Sequence, residues 1–311
     1  MGPERKDKLT TFGSNTWKAA MSNFPMIEVR DLEKYYGKQV VLNKVKLQFK
    51  AGQFVALVGK NGSGKSTLMR MISQRELWSE GGIYYQNQSF RSPRVPFLSD
   101  MVFITEDQNL PIHKDIFWWK TQYSSLTNRY RHEDFDYLVK HLNVDISKKF
   151  SELSRGQKMK ALFCLQAPRS PNVYLLDEIT SVLDSGSRWI LMDYLQKEAQ
   201  RGALIIMSTN IAGEMQGFAN QVCVLDSGNL ELVSAASELG DHFEKYRVPA
   251  ENKTEIDDLE KMGARKVMKN SDGAWSLLRK KTDEPSNKRT DRREISIEDV
   301  AAYYTISGSL K

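Results

Sequence analysis

Only two cysteines, Cys164 and Cys223, occur among the 311 residues, too few for a disulfide framework. Both sit in apolar runs, ALFCLQA and QVCVL, where a free thiol behaves as a small core residue. A reducing compartment is the simplest inference. The four histidines, His113, His132, His141 and His242, show no metal-ligand spacing with cysteine or acid and read as ordinary surface or core residues. Long apolar runs are missing too. No stretch approaches the ~20 residues that a spanning helix needs, and residues 1–25 hold no apolar segment of the secretory-signal kind. Charge of one sign is also scarce: 45 Lys and Arg stand against 39 Asp and Glu, a net +6 spread thinly along the chain. Without a basic stripe, nucleic acid is not an expected partner. The rest is ordinary globular composition, 40% hydrophobic and 27% charged, which excludes collagen-like, mucin-like and wholly disordered chains. The length allows one large domain plus an appendage, or two domains.

Residues 1–25 lack periodicity and read as a flexible tail. From Ile27 strands and turns follow: VKLQF (45–49) alternates, and FVALVG (54–59) is a continuous buried run. A glycine-rich stretch then opens a helix over 64–74. Residues 108–150 read mostly as helix, with amphipathic positions at Phe117, Trp118, Leu126, Phe135, Leu138 and Leu142. A second helix is expected at 155–166, then a buried strand VYLLD (173–177), a helix around 187–200, a strand at 203–208 and a hairpin turning at Asp226-Ser227-Gly228-Asn229. Strand–helix alternation of this kind implies a mostly parallel α/β core. Residues 241–311 suggest a small α+β appendage: a KYRV strand, a TEIDDLEKMG helix, a hairpin at Ser271-Asp272-Gly273, a polar stretch and a final helix IEDVAAYYT.

The strongest chemical signal is Gly59-Lys60-Asn61-Gly62-Ser63-Gly64-Lys65-Ser66-Thr67, which follows a buried strand and enters a helix, the context of a phosphate-binding loop. Glycines let successive N–H groups turn toward phosphate oxygens, and the helix N-terminus adds its dipole. Lys65 is expected to reach the β- and γ-phosphates of a nucleotide and the Ser66 hydroxyl to ligate Mg²⁺. Val173-Tyr174-Leu175-Leu176-Asp177-Glu178 ends a hydrophobic strand in two carboxylates. Asp177 suits a contact to the metal and its water; Glu178 suits the base that orients the attacking water.

Twenty residues before Asp177 stands Leu153-Ser154-Arg155-Gly156-Gln157. The loop at 59–67, LSRGQ, VYLLDE and Ser181-Val182-Leu183-Asp184, in that order, resemble the ATP-binding subunits of ABC transporters over about residues 26–236. The resemblance implies a P-loop NTPase of the ABC ATPase type: an α/β core with an antiparallel β subdomain, a helical insertion at about 108–166 and, after 237, the α+β accessory domain. It implies ATP and Mg²⁺ as cofactors and a dimer, of like or unlike ATPases, in which Ser154, Gly156 and Gln157 close over the ATP of the opposite subunit. Tyr36 matches the family's adenine-stacking aromatic, Tyr35 being the lesser candidate. Arg155 replaces a glycine and should point away from the nucleotide.

Two departures stand out. Where the family carries the Q-loop glutamine, after MVFIT (101–105), this chain has Glu106-Asp107, with Gln108 two residues late; Glu106 is expected to meet the Mg²⁺ shell. Where the family usually has histidine, Ser208-Thr209 precede Asn210, which can give the γ-phosphate an amide hydrogen bond but no positive charge. Secure binding and slow hydrolysis follow.

In this family the Q-loop and the helical insertion receive a short helix of the membrane permease. The matching stretch is Leu110–Trp119. Adjacent Phe117, Trp118 and Trp119 cannot all face one side of a helix, so at least one should be exposed. The insertion and the terminal helix 297–305 look like those of the type-two class of bacterial ABC exporters. The resemblance thus implies a cytoplasmic ATPase, peripheral at the inner face of the plasma membrane, that powers a separate permease, with a soluble, slowly hydrolysing regulatory ABC ATPase as the alternative. The basic stretch 279–293 reads as a solvated loop.

Overall fold

A computed structural model of the chain describes residues 25–91, 99–108, 110, 113–281 and 294–306. The expected tail (1–24), Pro111 and Ile112, and most of the polar stretch (282–293) lie outside the described residues.

The described strands form three sheets. Strands β1 (Ile27–Tyr36), β2 (Gln39–Phe49), β3 (Phe54–Val58), β4 (Glu80–Tyr85), β5 (Gln88–Ser89), β6 (Met101–Thr105), β7 (Val173–Asp177), β8 (Leu204–Thr209), β9 (Gln221–Asp226) and β10 (Asn229–Ala235) belong to the first two. The central sheet has the order β10-β9-β3-β8-β7-β6 and is parallel except at β10, which returns antiparallel from the hairpin at 226–229. An antiparallel sheet, β2-β1-β4-β5, covers one side. The mixed α/β architecture expected from the sequence is present.

The parallel strands are buried on both faces, so they read as unbroken apolar runs rather than alternating ones. Alternate residues then serve two cores. Val55, Leu57, Phe103, Leu175 and Ile206 pack with the antiparallel sheet and with helix α1 (Lys65–Ile72), whose Met69 and Met71 are buried. Ala56, Ile104, Tyr174, Leu176, Ile205 and Met207 pack on the other face against the remaining helices. Each fully buried large aliphatic side chain contributes about 1.5–3 kcal/mol, so truncating Leu175 to Ala would cost about 2–5 kcal/mol.

The helical insertion contains α2 (Ile116–Ser125), α3 (His132–His141) and α4 (Arg155–Gln166), with Asp115 capping α2 through the Trp118 N–H. It is less helical than its polar-apolar pattern suggests, because 126–131 and 142–149 are turns and loops. Phe135, Leu138 and Leu142 join the core as expected. Phe117, Trp118 and Leu126 do not: they are exposed at 55%, 37% and 62%. Trp119 is half-buried against the core and meets Trp118 edge-on. Helix α5 (Ser185–Gln200) follows β7.

The C-terminal part adds α6 (Leu239–His242), β11 (Phe243–Val248), α7 (Lys253–Lys261), β12 (Arg265–Lys269), β13 (Trp275–Lys280) and α8 (Ile297–Ile306). Its sheet has the order β11-β13-β12. One face forms its own core around Tyr246, Leu259 and Leu277. The other face is continuous with the main core, because Phe243, Leu278, Ile297 and Val300 pack there. Among the described residues no helix is long and apolar enough to cross a membrane.

Candidate functional site

Strand register assembles the site. Val58 lies beside Thr209, Asp177 beside Ser208 and Thr105 beside Asp177. The residues that follow these strand ends, Gly59, Asn210, Glu178 and Glu106, therefore emerge at one edge of the parallel sheet, where such folds bind ligands.

The glycine-rich loop connects β3 to α1. Gly64 caps α1 with φ +104°, and a Cβ there would meet the Val41 carbonyl at 2.9 Å; both facts require glycine. Lys65 is buried, and its ammonium donates to the carbonyls of Gly59 (2.8 Å) and Lys60 (3.0 Å). Burial lowers its pKa, and the carboxylates of Glu178 and Asp177 act in the opposite sense. The Ser63 hydroxyl is buried with no hydrogen-bond partner among the described residues. A buried unpaired donor is costly unless a ligand satisfies it, and here it lies in a loop shaped for phosphate. A cavity of about 430 Å³ opens over the loop, bounded by Tyr36 at one end and Glu178 at the other.

Ser66 donates to an Asp177 carboxylate oxygen at 3.2 Å, and the Ser208 hydroxyl donates to the same oxygen. A hydroxyl and a carboxylate side by side are hard oxygen donors of the kind Mg²⁺ takes, with water and phosphate oxygens completing the shell. Among the described residues no three His, Cys, Asp or Glu cluster as a separate metal site.

Glu178 has a left-handed backbone, φ +54°, which costs a non-glycine residue about 1–3 kcal/mol. Its N–H points back to the Ser208 carbonyl and hydroxyl, both at 3.2 Å. The bend swings the carboxylate out of strand direction, 3.9 Å from the Lys65 ammonium. Asn210 donates its side-chain amide to the other carboxylate oxygen at 3.2 Å. Ser208 thus touches both acids, a role its place in a strand end did not reveal.

Tyr36 is half-exposed and its hydroxyl bonds Glu76, while the Lys34 ammonium lies 4.8 Å from its ring centre. The Glu76 hydrogen bond, the largest cause, raises the tyrosine's pKa. Tyr36 lines the cavity over the phosphate loop.

LSRGQ stands apart from these groups. Ser154 caps α4 by accepting from the Gln157 N–H (3.4 Å), and Gln157 returns the contact to the Ser154 N–H (3.0 Å), a capping box. Both residues are exposed. Gly156 touches the loop 181–184: a Cβ would sit 2.8 Å from the Val182 carbonyl. Asp184, held far below the usual carboxylate range by Lys160 and by the Ser187 N–H, caps α5. Arg188 joins this loop to the turn after Asn210, donating to the Leu183 carbonyl at 2.8 Å and pairing with Glu214.

Glu106, expected at the metal, is drawn elsewhere. Its carboxylate pairs with Arg155 at the start of α4, not with Ser66 or Asp177. Gln108 accepts from Gln166 at 3.2 Å. Cys164 and Cys223 are free and buried, which pushes both thiols up, Cys223 to about 12; neither is a nucleophile.

Comparison with known proteins agrees with this arrangement. Residues 42–181, from β2 through the two strand-end acids, match the family described as ABC transporter. The methionine import ATP-binding protein MetN of Campylobacter jejuni is 26% identical over 241 residues, 69% of this chain and 72% of that protein. The ABC transporter ATP-binding protein YtrB of Bacillus subtilis is 27% identical over 227 residues, 72% of this chain and 76% of that one. Among solved structures, an ATP-binding subunit of an ABC transporter superposes with TM-score 0.64 at 21% identity, covering 70% of this chain and 92% of its own. The dimeric cassette MJ0796 gives 0.60 at 22%, covering 68% and 98%. With its phosphate loop, paired strand-end acids and LSRGQ helix in this setting, the chain is an ATPase whose residues 42–181 match the ABC transporter ATP-binding domain.

Proposed function

We propose that this chain works as one half of an ATP-closed dimer that drives a separate membrane permease, with one ATP between each phosphate loop and the facing LSRGQ. The observation that carries this reading is the convergence of Lys65, Ser66, Asp177, Glu178 and Asn210 at one sheet edge, while Ser154 and Gly156 lie outside that cluster. A helix start carries partial positive charge that suits a phosphate, and Ser154 and Gln157 at this one are exposed. The dimer of MJ0796 is a likeness of fold that accords with such an arrangement.

In the working site, Tyr36 stacks on the base, and the loop N–H groups, the Ser63 hydroxyl and Lys65 hold the phosphates. Ser66 and Asp177 would hold Mg²⁺, which neutralises phosphate charge as the bond to the leaving group breaks. Glu178 orients the attacking water and accepts its proton. Asn210 then turns its amide to the γ-phosphate. Closure on ATP does mechanical work, and hydrolysis with product release resets the dimer. The exposed Phe117, Trp118 and Leu126 supply an apolar rim suited to a helix of the permease, which supports a working position at the cytoplasmic membrane face.

Export is read only from the resemblance of the insertion and the terminal helix to the type-two exporter subunits. Import is the second reading, favoured by relatives named as import proteins, for methionine and for phosphonates. Affinity purification from native membranes, followed by reconstitution of the co-purifying multispanning protein in vesicles, tests both. The expected result is ATPase activity stimulated by that protein. An activity indifferent to every membrane partner sinks the transport reading, and the side of the vesicle on which cargo accumulates decides direction.

A further inference from the structure

The two places where this chain departs from the ABC motif pattern by gaining a charge are Glu106, in place of the Q-loop glutamine, and Arg155, in place of the middle signature glycine. The structure brings these two residues together: the Arg155 guanidinium pairs with the Glu106 carboxylate. Arg155 is the first residue of α4, and no acid stands in the first turn of that helix. A cation there faces the positive end of the helix dipole, so the counter-charge has to come from another element. Glu106 provides it from the end of β6, one row from Asp177. The arginine side chain is otherwise 76% exposed, the glutamate 30%.

We infer that Glu106 is a positioning residue that restrains Arg155 and so sets how strongly the LSRGQ helix start attracts the phosphate of a facing ATP. The inference rests on the dimer reading above. With the pair formed, the charge of Arg155 is balanced by Glu106. With the pair broken, the unbalanced charge of Arg155 lies on the residue between Ser154 and Gly156, within Coulombic range of a γ-phosphate docked on them.

The test measures ATP-dependent dimerisation by sedimentation in the Glu178→Gln background, which is expected to bind ATP without hydrolysing it. Adding Glu106→Gln should tighten the dimer at least threefold, an effect that shrinks as salt is raised because exposed charges are screened. Arg155→Ala alone should change affinity less than twofold, since the arginine is already restrained. In the double variant the gain from Glu106→Gln should vanish, whereas Arg155→Lys, which keeps the charge, should preserve it. If Glu106→Gln tightens the dimer equally with and without Arg155, or leaves it unchanged, the positioning role is wrong. Absence of any ATP-dependent dimer in the Glu178→Gln parent instead overturns the dimer reading, and the inference with it.

Discussion

The Asn210 amide donates to the Glu178 carboxylate at 3.2 Å, so without nucleotide the expected γ-phosphate donor is occupied by the expected base. The same carboxylate reaches toward Lys65 at 3.9 Å. Lys65, Glu178 and Asn210 therefore form one polar chain across the cavity. A γ-phosphate entering between them would compete with the carboxylate for the ammonium and the amide.

Removing the cation at the centre of that chain should show first in binding. Lys65→Ala deletes the group that meets the β- and γ-phosphates and leaves the Gly59 and Lys60 carbonyls without their donor. ATP affinity should fall tenfold or more, about 1.4 kcal/mol at least. Calorimetric titration checks this; unchanged affinity in a folded variant refutes the phosphate-loop assignment.

Burial gives Lys65 a pH signature as well. Its pKa is lowered in the nucleotide-free protein, so the amine begins to lose its proton at lower pH than an ordinary lysine. Phosphate charge favours the ammonium, so ATP binding should take up a proton as pH rises toward that lowered pKa, and affinity should fall over the same interval. Titrations in two buffers of different ionisation heat measure the uptake. It should disappear in Lys65→Arg, whose charge does not titrate.

Most of the site was legible in the sequence because its pieces are local. The strand before Gly59 and the helix after it are dictated by FVALV and by a glycine that alone tolerates the Gly64 geometry. What the sequence hid depends on contacts between distant segments. Ser208 reaches Asp177 only because β7 and β8 pair in register. Glu106 meets Arg155 only because β6 ends near the start of α4. Apolar spacing alone does not separate the two groups: Phe117 and Trp118 are exposed, as expected of at least one of the adjacent aromatics, and Leu126 is exposed too, whereas Phe135 and Leu138 find a core. Periodicity reports which residues share a face, not whether anything covers it.

Glu178→Gln keeps the size and one oxygen of the side chain while abolishing basicity. Asn210 can still donate to that oxygen, so the bend at Glu178 need not change. ATP binding should persist, hydrolysis should fall at least a hundredfold, and an ATP-bound dimer should accumulate on gel filtration with light scattering. Hydrolysis at the parental rate would show that another group activates water.

Asn210 offers the γ-phosphate one neutral donor, where an imidazole could add charge and a second contact. Transition-state contacts of this kind are worth about 2–4 kcal/mol, or ~10²–10³ in rate. The parent should therefore turn over slowly as a homodimer, because the amide carries no charge and is shared with Glu178. Asn210→His should raise the rate at least severalfold, provided Arg188 and Glu214 continue to hold the turn that follows. If the subunit instead pairs with a different ATPase that supplies the fast site, the histidine alone should do little and the added partner should restore activity. ATPase rates of parent and variant, with and without that partner, separate the two cases. A fast parental rate that the histidine leaves unchanged would show that the Asn210–Glu178 contact is no obstacle to catalysis.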